Sequence, residues 1–203
     1  MRRSYLLLVL LAWAAAGNAQ KGTYYSGLKL GSSFYTLENN TTYPGLDKKM
    51  KPSVIVGIFY NIPIAKGFHL QPELVYSGEG VKYKDSVHTL TTRLHYVAIP
   101  LMLQYELMNS GIYLEAGPQF AVLIQGRQFN SKVSTTEGTD LSKTYKATNF
   151  ALGAGVGYHK GLFGVNFRYN TGLSNISKLS TDPVTKSNGF QIGANLWFSQ
   201  GAK

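Results

Sequence analysis

Cysteine is absent from this chain of 203 residues, so disulfides, thiolate-ligated zinc and thiol catalysis are all excluded. Acidic residues are scarce: ten Asp plus Glu stand against twenty Lys plus Arg, a formal charge of +10. By itself that balance admits nucleic acid, anionic lipid or acidic glycan as a partner. Histidine is limited to four scattered positions with no His-x-x-x-His pair, so no metal site is expected. Past the N-terminus no apolar run approaches the roughly 20 residues that a spanning helix needs. With a mean hydropathy of −0.09, a helical membrane bundle is excluded. Glycine and tyrosine are abundant, at 22 and 14 residues, while only 15% of the chain is charged. That composition favours strands over helices.

Arg2 and Arg3 precede an apolar run from Tyr5 to Ala16, which is followed by Gly17-Asn18-Ala19. Small residues three and one before a cut predict a cleaved secretory signal peptide over residues 1–19 and a mature domain over 20–203. Removing the two arginines lowers the basic count from 20 to 18 and the net charge to +8. Export takes chromosomal DNA and cytosolic RNA out of reach, so no nucleic-acid partner is expected.

From Tyr25 onward apolar residues recur at every second position, which is the period of a strand and not of a helix. One face carries Leu28 and Leu30, then Val54, Val56, Ile58 and Tyr60, then Phe68, Leu70, Leu74 and Tyr76. It continues through Val97 to Leu107, Ile112 to Ile124, Phe150 to Tyr158, Phe163 to Leu173 and Phe190 to Phe198. The opposite face is mostly Gly, Ser, Asn and Gln with single charges, interrupted by Ile55 and Phe59. These segments predict eight strands. Tight links at 63–66, 108–111 and 159–161 alternate with long polar ones at 36–51, 80–92, 128–148 and 177–187. Short turns on one rim, long loops on the other and an even strand number predict an all-β fold, an eight-stranded antiparallel up-and-down transmembrane β-barrel. A soluble barrel of eight strands would point its apolar set inward. The weakly charged face here is too small and too neutral to be a water-facing surface. Tyr60, Phe68, Tyr105, Phe163 and Phe198 fall where interfacial aromatic girdles are expected.

The segments LHYVAIPLMLQYEL, GIYLEAGPQFAVLI, NFALGAGVGYHKGLFGVNFRYNTGLSNI and GFQIGANLWF resemble the outer-membrane β-barrel proteins abundant in Bacteroidetes, the PorT-like or porin family. Tyr96 to Leu101, Ala116-Gly117-Pro118 and Arg168-Tyr169-Asn170 with Gly172-Leu173 are the most specific parts. The resemblance covers the mature chain and implies the outer membrane of a Gram-negative bacterium. Such barrels end on an aromatic residue that the assembly machinery reads. Phe198 fits that role, with Ser199 to Lys203 as an extension beyond it. The family's namesake takes part in a secretion system, so an accessory secretion role is one implied alternative, with secretion-system or other surface partners.

Lys29, Glu73, Glu115 and Arg168 fall on inward faces at similar depth, together with Gln71, Gln104, Gln119 and Asn166. An eight-stranded barrel is only just wide enough for side chains to fill it, so these groups are expected to form a structural charge cluster that plugs the lumen. A small porin for small solutes is the competing reading. Lys48, Lys49, Lys51, Lys82, Lys84, Arg93, Lys132, Lys143, Lys146, Lys178 and Lys186 make the long loops a basic surface, suited to lipopolysaccharide phosphates or an acidic glycan, with a merely solvated surface as the competing reading of any single lysine. An outer-membrane lipid hydrolase or protease would need a His, a carboxylate and a hydroxyl near the outer rim. His88 and His95 with Glu79, Asp85 and Ser86 are the residues available. No catalytic residue, cofactor or metal is assigned, no enzyme activity is expected, and the chain is expected to be a monomer. Gly153, Gly155 and Gly157 mimic a nucleotide loop only in name, since their period of two puts them on one strand face and Tyr158 stands where that fingerprint needs Gly.

Overall fold

The computed structural model describes residues 24–38, 47–84, 89–108, 110–130, 139–141, 144–178 and 184–200. The expected signal peptide at residues 1–19 lies outside them. The strands are β1 (Tyr24–Glu38), β2 (Asp47–Ala65), β3 (Phe68–Lys84), β4 (Thr89–Glu106), β5 (Ile112–Asn130), the two-residue β6 (Thr139–Asp140), β7 (Thr148–Lys160), β8 (Phe163–Gly172) and β9 (Lys186–Gln200). Every pairing is antiparallel. The order β4-β3-β2-β1-β9-β8-β7-β5, closed by β4 pairing with β5, makes a ring of eight long strands, while β6 adds to the outer end of β5. Closure pairs every strand on both sides and leaves no long edge exposed.

The wall obeys the two-residue alternation. Leu30, Val54, Ile99 and Val165 point outward and are 61%, 59%, 52% and 57% exposed, while their sequence neighbours point into the ring. An exposed set this apolar fits hydrocarbon and not water. Outward rings pair near the short-turn end, Phe68 with Tyr105 at 4.7 Å and Tyr24 with Tyr60 at 6.3 Å between centroids. Gly67, Gly111 and Gly161 close the three short turns with φ of 75°, 80° and 59°. Side chains rarely adopt that backbone, which is why glycine recurs there.

The strands run further than the sequence pattern suggests. Lys48, Lys49, Lys82 and Lys84, expected in loops, stand on β2 and β3. Alternation persists through these outer ends with its polarity reversed: Val81 and Tyr83 are buried while Lys82 and Lys84 are exposed. Read as a continuation of one pattern, that reversal looks like a loop.

Phe59 and Trp197, which break the polar face in sequence, meet with Tyr113 inside the ring near the short turns. The Trp197 ring lies 4.8 Å from Phe59, 6.3 Å from Tyr113 and 4.6 Å from the stacked His159. Each aromatic side chain is made possible by a glycine on another strand. A Cβ on Gly27 would lie 2.1 Å from the Phe59 ring, one on Gly157 2.2 Å from Tyr113, and one on Gly164 2.7 Å from Trp197. Gly157→Val is therefore expected to destabilise the barrel by about 1–3 kcal/mol through overpacking. A urea-unfolding midpoint of the refolded protein reads the loss, and adding Tyr113→Ala should recover part of it.

Candidate functional site in the barrel lumen

Above the aromatic layer the ring places a charge at every second strand. Lys29 comes from β1, Glu73 from β3, Glu115 from β5 and Arg168 from β8, which are alternate members of the eight-strand ring. Barrel interiors stack in such layers because inward side chains of adjacent strands sit at staggered heights. All four groups are buried, Arg168 to 1% exposure.

Glu73 is their common partner. Lys29 Nζ donates to both of its carboxylate oxygens at 2.8 Å, and Arg168 donates through Nη1 at 3.0 Å and Nη2 at 2.7 Å. Gln71 Nε2 adds a further bond at 2.8 Å. Arg168 Nε donates to Glu115 Oε1 at 2.7 Å, and Gln104 Nε2 donates to Glu115 Oε2 at 3.1 Å. The layer holds two carboxylates and two cations, so its formal charge is zero.

Amides extend the network toward the short-turn end. Asn61 Nδ2 donates to Gln71 Oε1 at 3.1 Å and to Gln104 Oε1 at 2.8 Å. His69 Nδ1 lies 2.8 Å from Asn61 Oδ1, a contact in which the imidazole must donate. Asn61 and His69 were not singled out by the sequence reading. The signal available was their place on the polar faces of β2 and β3. Gln119 and Asn166 are buried in the same interior, and Asn166 Oδ1 accepts from Asn195 Nδ2 at 3.1 Å.

Toward the long-loop end, Tyr35 Oη accepts from Asn170 Nδ2 at 2.8 Å and from Gln191 Nε2 at 3.1 Å. Glu79 follows, buried and accepting from Ser187 Oγ at 2.5 Å. The outermost part of the interior is apolar: Leu37, Val81, Tyr83, Leu94, Tyr96, Ala98 and Ala121 pack together with Ile176. Ile176 belongs to the connection between β8 and β9. Its N–H donates to Thr185 O at 2.9 Å and its carbonyl accepts from Lys146 N at 2.7 Å, which pins this connection inside the outer end of the ring.

Glu79 and His95, residues of the hydrolase alternative, are separated by the barrel wall. Glu79 points inward, while His95 lies on the outward face bonded to Tyr76 Oη at 2.7 Å. Asp85, Ser86 and His88 lie outside the described residues, as do Lys132 and Lys143. Lys146 is described and exposed. No group of three or more His, Cys, Asp or Glu suited to a metal ion occurs among the described residues.

A family model, the outer membrane protein beta-barrel domain, matches residues 18–178. Among solved structures, Ail, the attachment invasion locus protein of Yersinia pestis, is similar at 12% identity and a TM-score of 0.47, over 86% of this chain and 98% of that one. Neisserial surface protein A is similar at 13% identity and 0.47, over 87% of this chain and 97% of its own. OprG of Pseudomonas aeruginosa is similar at 13% identity and 0.42, over 90% and 99%. No curated protein matches the sequence.

Glu73→Gln leaves one buried positive charge in excess and is expected to destabilise the barrel by about 3–5 kcal/mol. Combining it with Lys29→Met restores neutrality and should cost less than Glu73→Gln alone. Trp197 is the sole tryptophan of residues 20–203, so its fluorescence during denaturant unfolding reports directly from this interior.

Proposed function

The chain belongs to the outer membrane protein beta-barrel domain family, and from that membership we propose that it is a closed barrel acting through its external surface and not through a pore. One observation carries the closed reading: the interior is occupied along its length. Phe59, Tyr113 and Trp197 fill the short-turn end, the Lys29–Glu73–Arg168–Glu115 layer fills the middle, and the cluster around Tyr96 and Ile176 fills the outer end. A solute crossing would have to break buried ion pairs that hold one another, each of which is strongly costly to open.

On this reading the chain is a monomeric binding or structural protein and not an enzyme. The separation of His95 from Glu79 by the wall supports that choice. Its partners are outer-membrane lipid and lipopolysaccharide, and Phe198 serves as the assembly signal at the end of β9. The Bacteroidetes porin-family resemblance belongs to the same proposal, supported by the segments from Leu94 to Leu107 and from Asn149 to Ile176. Through that resemblance an accessory place in a secretion apparatus remains compatible with a closed barrel.

Reconstitution of the purified protein into planar lipid bilayers tests the reading. No steady conductance is expected from single insertions. A stable open level would overturn the closed barrel and favour the small-porin alternative.

A further inference from the structure

The outer ends of β2 to β5 carry cations on the outward side of the wall, arranged against their own repulsion. Lys49 on β2 stands directly opposite Lys82 on β3, and Arg93 on β4 stands directly opposite Arg127 on β5. Like charges facing one another across a ladder are destabilising. Here two such pairs sit side by side, because Lys82 lies diagonally next to Arg93 through the Thr91 and Gly80 positions. All four side chains are exposed.

Lys51 joins them. Gly78 and Gly80 are in register with His95 and Arg93, and both are buried. A Cβ on Gly80 would lie 3.4 Å from Lys51 Cδ, and one on Gly78 would lie 2.6 Å from Ser53 Cβ, so Lys51 and Ser53 lie over these glycines. Lys51 Nζ donates to Ser53 Oγ at 2.6 Å, and its charge is felt by both Arg93 and His95. Arg93 is held in turn over the Phe129 ring, 4.6 Å from its centroid. The result is a basic patch of Lys51, Lys82 and Arg93 packed over two buried glycines.

Among the described residues, no carboxylate stands in register with Lys82 or Arg93. Glu73 and Glu79 of β3 point into the lumen, and Glu106 lies at the far end of β4. Asp47 and Asp140 stand at the margins, in register with Lys84 and Arg127.

We propose that this patch binds the phosphate groups of a lipopolysaccharide-type glycolipid in the outer leaflet. The reading rests on the surface role proposed above and moves its site from the loops to the strand wall. Height selects a lipid over a soluble anion. On β3 and β4, Tyr76 and Val97 are the last apolar outward residues below the patch. Arg93 lies four residues beyond Val97, a rise of roughly 13 Å along the strand at ~3.3 Å per residue. That is the level of a headgroup whose acyl chains run down the apolar wall. A phosphate between Lys82, Arg93 and Lys51 would turn their mutual repulsion into shared attraction.

Native mass spectrometry of the mature protein in neutral detergent tests this with two probes, phosphorylated lipopolysaccharide and the same glycolipid after enzymatic dephosphorylation. The phosphorylated form is expected to bind tighter by roughly tenfold or more, as charge-assisted contacts imply. Lys82→Gln combined with Arg93→Gln should erase that preference, Arg93→Lys should keep most of it, and Lys66→Gln at the opposite, short-turn end should leave it intact. Heat-modifiable migration on gels verifies that each variant is folded. Equal binding of the two probes, or an unchanged preference in the double variant, overturns the proposal. Full competition by millimolar inorganic phosphate would also overturn it, since a free anion would then satisfy the patch. Failure here with a silent bilayer recording removes the glycolipid site alone, whereas a stable conductance removes the closed-barrel reading.

Discussion

The Glu73 carboxylate is the group around which the interior is organised. A carboxylate in the middle of a protein wall is tolerated only if its charge and its lone pairs are both answered. Lys29 and Arg168 answer the charge, and their four hydrogen bonds with that of Gln71 occupy both oxygens. Two cations on one anion would leave an excess, which Glu115 removes by taking Arg168 Nε at 2.7 Å. The neighbouring glycines follow from the same constraint. A Cβ on Gly155 would come within 3.1 Å of Glu115 Oε1, and one on Gly153 within 3.3 Å of Arg168 Cδ. The long guanidinium side chain crosses the lumen because small residues make room for it.

The polarity of the wall is set by what lies outside it, and it reverses along the strands. Through the membrane, Leu74, Ile99 and Leu101 face out, while Glu73, Gln104 and Lys29 face in. Further along the same strands, Lys82, Arg93 and Arg127 face out, while Val81, Leu94 and Tyr96 face in. The first arrangement is that of a barrel in hydrocarbon and the second that of a barrel in water. One continuous ring therefore serves two solvents. Burying Leu37, Leu94 and Ile176 in its outer end supplies the hydrophobic association that the membrane-embedded section, already surrounded by lipid, does not gain from its outward residues.

Strand parity was legible in the sequence because it depends only on which residue alternates with which. The inward placement of Lys29, Glu73, Glu115 and Arg168 follows from that parity. Their direct contact does not, because it depends on stagger between strands that are far apart in the chain. The outer strand ends were hidden by the reversal of polarity: Val81-Lys82-Tyr83-Lys84 keeps the period of two but exchanges the faces. A bulge between Met50 and Ile55 and another at His95 to Tyr96 shift the register in the same region, which further disguises the pattern. Asn61 and His69 were visible as polar positions, yet only the folded ring shows that they lead from the short-turn end to the charge layer.

The point of reversal also gives the outward cations their position. Below it, a charged outward side chain would meet hydrocarbon, and above it, water would screen the charge and weaken any attraction. Between the two lies a narrow zone where a cation is hydrated enough to exist and screened little enough to matter. Lys51, Lys82 and Arg93 stand in that zone on three adjacent strands, and Lys51 packs against the buried Gly80 of the middle one. The ion pairs and the packed ends behind this wall hold the strands at fixed spacing, so the backbone positions that carry the cations stay adjacent. Rigidity of the filled lumen and crowding of charge on the outer wall are therefore two consequences of the same closed ring.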